Sequence, residues 1–138
     1  MSTFTHKLVA VMNEKIEPGP LMNALAHMCI GFGAEIGKVP LRLVDYQDAD
    51  QGSHPHISEM PFMILKANSN KIRSLRKAAQ EKGILFVDFT DTMTIGSYEE
   101  QIERTKQTKE EALVYYGIVL FGPWDVVSEL TRKFSCLK

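Results

Sequence analysis

The sequence predicts a single α/β domain, one layer of mixed sheet with helices on both faces. Three observations carry this. Short apolar runs of strand length alternate with longer stretches of helical period along the chain. The first run, Lys7 to Met12, is apolar without alternation, as expected of a central strand covered on both faces. And 138 residues suffice for one core, since a chain of this size buries on the order of 65 to 70% of its unfolded surface.

After Lys7 to Met12, the stretch Asn13 to Pro20 collects turn residues, and Gly19 with Pro20 suits a helix start near Pro20, because proline in a first turn loses no intrahelical bond. Leu21, Ala24, Leu25, Met28 and Phe32 then recur at helical spacing among small residues that permit close approach to a sheet. Asn23 and His27, four apart, share one side of this helix within its first turns. Leu41 to Tyr46 reads as a short strand and residues 47–60 as a polar surface loop, long enough to have a role such as covering a site.

Pro61 to Lys66 is the next strand, and Asn68-Ser69-Asn70 supplies cap residues for a helix with Ile72, Leu75 and Ala79 inward, the most basic element of the chain. Ile84 to Phe89 forms a third strand, ending in Asp88 and followed by Thr92. Parallel strand-helix-strand connections bring Asp88 and Thr92 to the sheet edge that holds the Gly19 turn. Ser97 to Thr108 is a charged helix or excursion, Leu113 to Phe121 a last strand, and Gly122-Pro123 opens a closing helix with Val127, Leu130 and Phe134 on one face.

Composition excludes several classes. Hydrophobic residues are 44% and charged residues 24%, and 16 Lys plus Arg against 17 Asp plus Glu give a net charge of -1, which offers no global case for a polyanion partner. Cys29 and Cys136 match neither a metal cage nor a disulfide framework and read as reduced thiols of a cytoplasmic protein. No run approaches the roughly 20 apolar residues of a membrane span, and the N-terminus has no leader pattern. The sequence contains no Gly-x-Ser-x-Gly elbow, Walker loop or dinucleotide fingerprint, so no cofactor is expected. Asp45, Asp48, Asp50, His54 and His56 are metal-binding residue types, but their spacing fits no zinc signature and no metal is expected.

Lys7 to Met12, Pro18 to Ala34 with its Asn23-Ala-Leu-Ala-His27 core, Pro61 to Asn68, Phe86 to Met93, and Tyr115 to Pro123 with Phe134-Ser135 together resemble an uncharacterised family, number two thousand in the domain-of-unknown-function series. That family in turn is similar to the type 2 peptidyl-tRNA hydrolase fold. The resemblance implies a three-layer sandwich with a mixed four-stranded sheet, a site at the start of the first helix, and a homodimer. Gly19 and His27 match the hydrolase pattern, and Asp88 and Thr92 match its acidic residue and threonine. Pro20 stands at the catalytic lysine's position and Ala24 at the glutamine's; Lys15 or Lys66, each near a strand end, are candidates to supply an ammonium instead.

Two functions follow as expectations. In the first, a pocket bordered by Gly19, Asn23, His27, Asp88 and Thr92 binds a small molecule or a peptide-like group. In the second, His27 and Asp88 manage protons while Asn23 polarises a scissile carbonyl, giving a carboxylic-ester hydrolase acting on peptidyl-tRNA or a related acyl ester. tRNA is a partner only of the second. The plain alternatives are a histidine bonded to a backbone carbonyl, and an Asp88 and Thr92 that cap their own turn.

Overall fold

Strand β1 (His6–Asn13) lies in the middle of the sheet, and its apolar run explains why: Val9, Ala10 and Val11 are fully buried, covered on both faces. The computed structural model describes residues 4–138. Helix α1 (Pro18–Ile36) follows β1, then come β2 (Leu43–Gln47), β3 (Ser53–Ser58), β4 (Phe62–Ala67), α2 (Ser69–Glu81), β5 (Leu85–Thr90) and a 3₁₀ turn at Asp91–Met93. Helix α3 (Tyr98–Lys106), a second 3₁₀ turn at Glu110–Ala112, β6 (Tyr115–Pro123), α4 (Trp124–Thr131) and β7 (Ser135–Cys136) complete the order.

The main sheet runs β5-β6-β1-β4-β7. Strand β1 pairs parallel with β4 and antiparallel with β6, and β6 pairs antiparallel with β5, so β1, β4 and β5 point the same way. Their carboxyl ends, Asn13, Ala67 and Thr90, therefore lie along one edge, as expected. Beyond the four strands implied by the resemblance, the two-residue β7 adds a fifth at the outer edge of β4.

Strand alternation divides the core into two. Leu8, Ala10, Met12, Val119 and Phe121 face α1, meeting its buried stripe Leu21, Ala24, Met28 and Phe32. Val9, Val11, Ile118 and Leu120 face α2 and α4, meeting Ile72, Leu75, Ala79 and Val127. The architecture is thus an α/β sandwich of three layers, with α1 on one face and α2 and α4 on the other.

Local chemistry sets the element ends. Helix α1 begins at Pro18, two residues before the expected start, because a helix's first turn accommodates both Pro18 and Pro20; it ends at Gly37, whose φ of 91° is costly for other residues. The Asn68 side chain accepts from the Lys71 N–H at 2.9 Å and caps α2. Ser97 and Glu100 form a capping box at α3.

The expected loop over 47–60 is instead largely a hairpin, β2 against β3 in a separate two-stranded sheet. Strand β2 falls on the expected strand Leu41 to Tyr46, but β3 is almost entirely exposed, so no apolar alternation marked it as strand. Asp48 closes its turn by accepting from the Asp50 and Gly52 N–H groups at 2.9 and 3.0 Å, while the Asp48 N–H donates to the Gly52 carbonyl. No helix among the described residues is long and apolar enough to cross a membrane.

Candidate functional site

Helix α1 holds Asn23 and His27 on its exposed side. The His27 ring leans on Phe89 of β5, centroids 6.3 Å apart and tilted by 33°, and Phe89 in turn meets Tyr116 of β6 at 5.9 Å. These contacts exist because Phe89 belongs to the α1-facing set of the sheet. Among the described residues, neither the Asn23 carboxamide nor the His27 ring nitrogens have a hydrogen-bond partner. A carboxamide and an imidazole one helical turn apart, beside an aromatic pair, can donate to and accept from a neutral amide or carbonyl.

The positive end of α1 is a weak anion site. Pro18 and Pro20 carry no N–H, the Leu21 N–H donates to the Glu17 carbonyl at 3.1 Å, and the residue before the helix is the acidic Glu17. Among the described residues, the Gly19 N–H is the one first-turn donor left without an acceptor. Gly19 is exposed, and a Cβ built there meets nothing within 4 Å, so the chain's own packing does not require glycine. A cavity of about 550 Å³ opens beside this turn, lined by Lys15, Pro18, Leu21, Met22 and Leu137. It places Lys15 near the start of α1. Lys66, in register with Met12 on β4, lies on the α1 face of the sheet.

Asp88 and Thr92 are not joined to Asn23 and His27. Asp88 neighbours Phe89 on a strand, so it projects to the opposite face, where the Arg76 Nε of α2 donates to its carboxylate at 2.8 Å. The sheet itself separates Asp88 from His27, and the expected pairing of the two is not made. Thr92 is buried. Its hydroxyl bonds Thr90 at 2.7 Å and accepts from Thr105 at 2.8 Å, and its carbonyl accepts from Arg104 at 3.0 Å. Thr92 fastens α3 to the end of β5.

The α2 face carries a polar network that sequence reading missed. The Tyr115 hydroxyl donates to Glu110 at 2.7 Å, the Arg73 Nε donates to the same carboxylate at 3.0 Å, and the Arg73 guanidinium lies 5.3 Å from the Tyr115 ring centroid. Burial, reinforced by the carboxylate, pushes the Tyr115 hydroxyl up to about 12. The same hydrogen bond, with help from Arg73, holds the Glu110 carboxyl below its usual range. Asn13 is buried at the end of β1, donating to the Tyr115 carbonyl and accepting from the Lys15 N–H, both at 2.9 Å. The available signal was Arg73 and Arg76 on one side of α2, but their partners come from residues 88 and 110, far along the chain.

Four of the five residues considered for metal form two separate pairs, His54 with Asp48 at 2.8 Å and His56 with Asp45 at 3.1 Å, while Asp50 meets Asp48 only through its backbone N–H. Among the described residues no group of three or more His, Cys, Asp or Glu could hold a metal ion. Cys29 and Cys136 are free thiols, and burial pushes the Cys29 thiol up.

A solved structure of a protein of unknown function from Agrobacterium tumefaciens strain C58 is similar in fold, with a TM-score of 0.85 at 14% identity, covering 99% of this chain and 100% of that chain. No curated protein matches the chain. A family model matches residues 6–138, and by that match the chain belongs to the family described as Protein of unknown function (DUF2000).

Proposed function

We propose that the chain is a binding domain of the type 2 peptidyl-tRNA hydrolase architecture, taking a small neutral ligand or a peptide-like group at Asn23 and His27. The observation that carries this reading is the open pair itself: both side chains are exposed, unbonded among the described residues, and backed by Phe89 and Tyr116. Gly19 lets a ligand approach the backbone of the first turn. The scarcity of free N–H groups there favours a carbonyl or amide over a phosphate.

The ester-hydrolase reading keeps support from the same two residues, which can move a proton and polarise a carbonyl. Weighing against it, Pro20 and Ala24 replace two polar side chains of the hydrolase pattern, and Asp88 is engaged with Arg76 across the sheet. Lys15 lines the 550 Å³ cavity beside the first turn of α1.

Two further parts of the proposal concern setting. The free thiols fit a reducing cytoplasm. Met22 and Ile30, 71% and 72% exposed on α1, give a homodimer an apolar face to bury.

The test combines two readouts on purified protein. We expect N-acetylated amino acid amides to shift backbone resonances around residues 19–27, 89 and 116, and Asn23→Ala and His27→Ala each to weaken that binding about tenfold, the worth of one lost hydrogen bond. We expect no turnover of N-blocked aminoacyl-tRNA. Turnover that His27→Ala abolishes would establish the hydrolase, and silence in both assays would reject the site.

A further inference from the structure

Helices α2 and α4 lie side by side on the sheet face away from His27, and between them runs a groove of about 560 Å³. Its floor is apolar: Leu75 and Ala78 from α2, Leu130 from α4, and Phe134 just beyond it. Its rim is cationic. Lys71 and Lys82 stand at its two ends, and Lys133 and Arg132 on the α4 side. One carboxylate, Glu129, shares the rim, and it is engaged with Arg132 at 2.9 Å. Lys71, Lys82 and Lys133 have no ion-pair partner among the described residues, in a chain whose net charge is -1.

From this arrangement we propose that the α2/α4 groove docks an acidic amphipathic helix of a partner protein. Lys71 and Lys82 are eleven residues apart, about 16 Å at 1.5 Å per residue, which is the length of a three-turn helix. Apolar side chains at i, i+4 and i+7 of such a helix would fill the space over Leu75, Ala78, Leu130 and Phe134, while flanking carboxylates meet the three lysines. The volume accommodates two or three large side chains.

Other occupants fit less well. A single fatty carboxylate engages one end of the groove and leaves the other lysines unmatched. Single-stranded nucleic acid needs several aromatic platforms along its track, and the floor supplies one ring, Phe134. A second copy could offer its own α3, which exposes Tyr98 and Ile102 beside Glu99 and Glu103. That contact is head to tail, and a head-to-tail contact that does not close grows into open chains. A separate partner avoids this.

The probe is a fluorescein-labelled, N-acetylated 16-residue helix with leucines at i, i+4 and i+7 and glutamates on both flanks, titrated into the full chain by anisotropy. We expect saturable binding, resonance shifts confined to α2, α4 and Phe134, and about tenfold weakening both on raising NaCl from about 50 to 300 mM and in the triple variant Lys71→Glu, Lys82→Glu, Lys133→Glu. These lysines are on the rim, so unchanged far-ultraviolet circular dichroism is expected of the variant. The proposal is overturned by absence of binding, by equal affinity for a scrambled peptide of the same composition, or by shifts on another face. It is overturned equally if decanoate or oligouridylate displaces the peptide, or if sedimentation shows self-association that the triple variant abolishes.

Discussion

Tyr115 couples stability to pH on the alkaline side. Its hydroxyl ionises at about 12 in the folded chain and near 10 in the unfolded one, so the folded state holds the proton more tightly. The contribution is complete below pH 10 and is lost as the pH rises toward 12. We expect chemical-denaturation stability to fall over that window and Tyr115→Phe to flatten the fall. The hydroxyl is removed together with its bond, while Arg73 still serves Glu110, so the variant should lose about 1 kcal/mol at pH 7. Absorbance titration should show a late-ionising tyrosine that is absent in the variant. Glu110 works in the opposite sense. Its carboxyl lies below the ordinary 4.5, so its contribution is present above that pH and is lost on acidification. Residue roles were unevenly legible in the sequence. Asn23 and His27 were assigned to one side of α1 because i, i+4 spacing places them there whatever the helix packs against. The Asp88 contact with Arg76 was not legible, because its partner depends on which face of β5 the residue occupies, and a shift of one position exchanges His27's side for Arg76's.

Helix α1 owes its position to a missing side chain in β6. A Cβ on Gly117 would lie 2.6 Å from the Met12 sulfur and 3.1 Å from the Met28 methyl. Met12 and Met28 are both buried, which leaves them little room to yield. We expect Gly117→Ala to cost about 1 to 3 kcal/mol of overpacking and to move the resonances of Met28 and His27, since the same helix carries both. A loss below about 0.5 kcal/mol, with those resonances unmoved, would mean that α1 is not set by this contact. Elements with a buried face were legible in the sequence: the inward sets Ile72, Leu75, Ala79 of α2 and Leu21, Ala24, Met28, Phe32 of α1 follow from periodicity alone. Strand β2, with Leu43 and Val44 half-buried, falls on the expected strand Leu41 to Tyr46, whereas β3 buries almost nothing and left no hydrophobic period. What holds it is backbone pairing and local bonds such as those of Asp48, which a pattern of apolar residues does not register.

At the scale of the whole molecule, the sheet divides the interior into an α1 core and an α2/α4 core with no residue common to their buried sets. Conservative changes on opposite sides should therefore act independently. Met28→Leu should cost less than about 1.5 kcal/mol and Ile72→Val about 0.5 to 1.5 kcal/mol. We expect the double variant, unfolded with urea, to match the sum within about 0.5 kcal/mol; a larger coupling would show that the sheet transmits strain between its faces. The same division separates the two proposed surfaces, His27 on the α1 face and the cationic groove on the other. The sequence by itself determined the α/β class, the central place of β1, the edge at which parallel strands end and the shared side of Asn23 and His27. Each depends on local periodicity or on the direction of linked strands. Only the tertiary structure decided that Asp88 meets Arg76 rather than His27, that Thr92 anchors α3, and that Tyr115, Glu110 and Arg73 converge. The partners in these contacts are mostly ten to forty residues apart, and they meet because of strand register and sheet face, which are set when the layers pack.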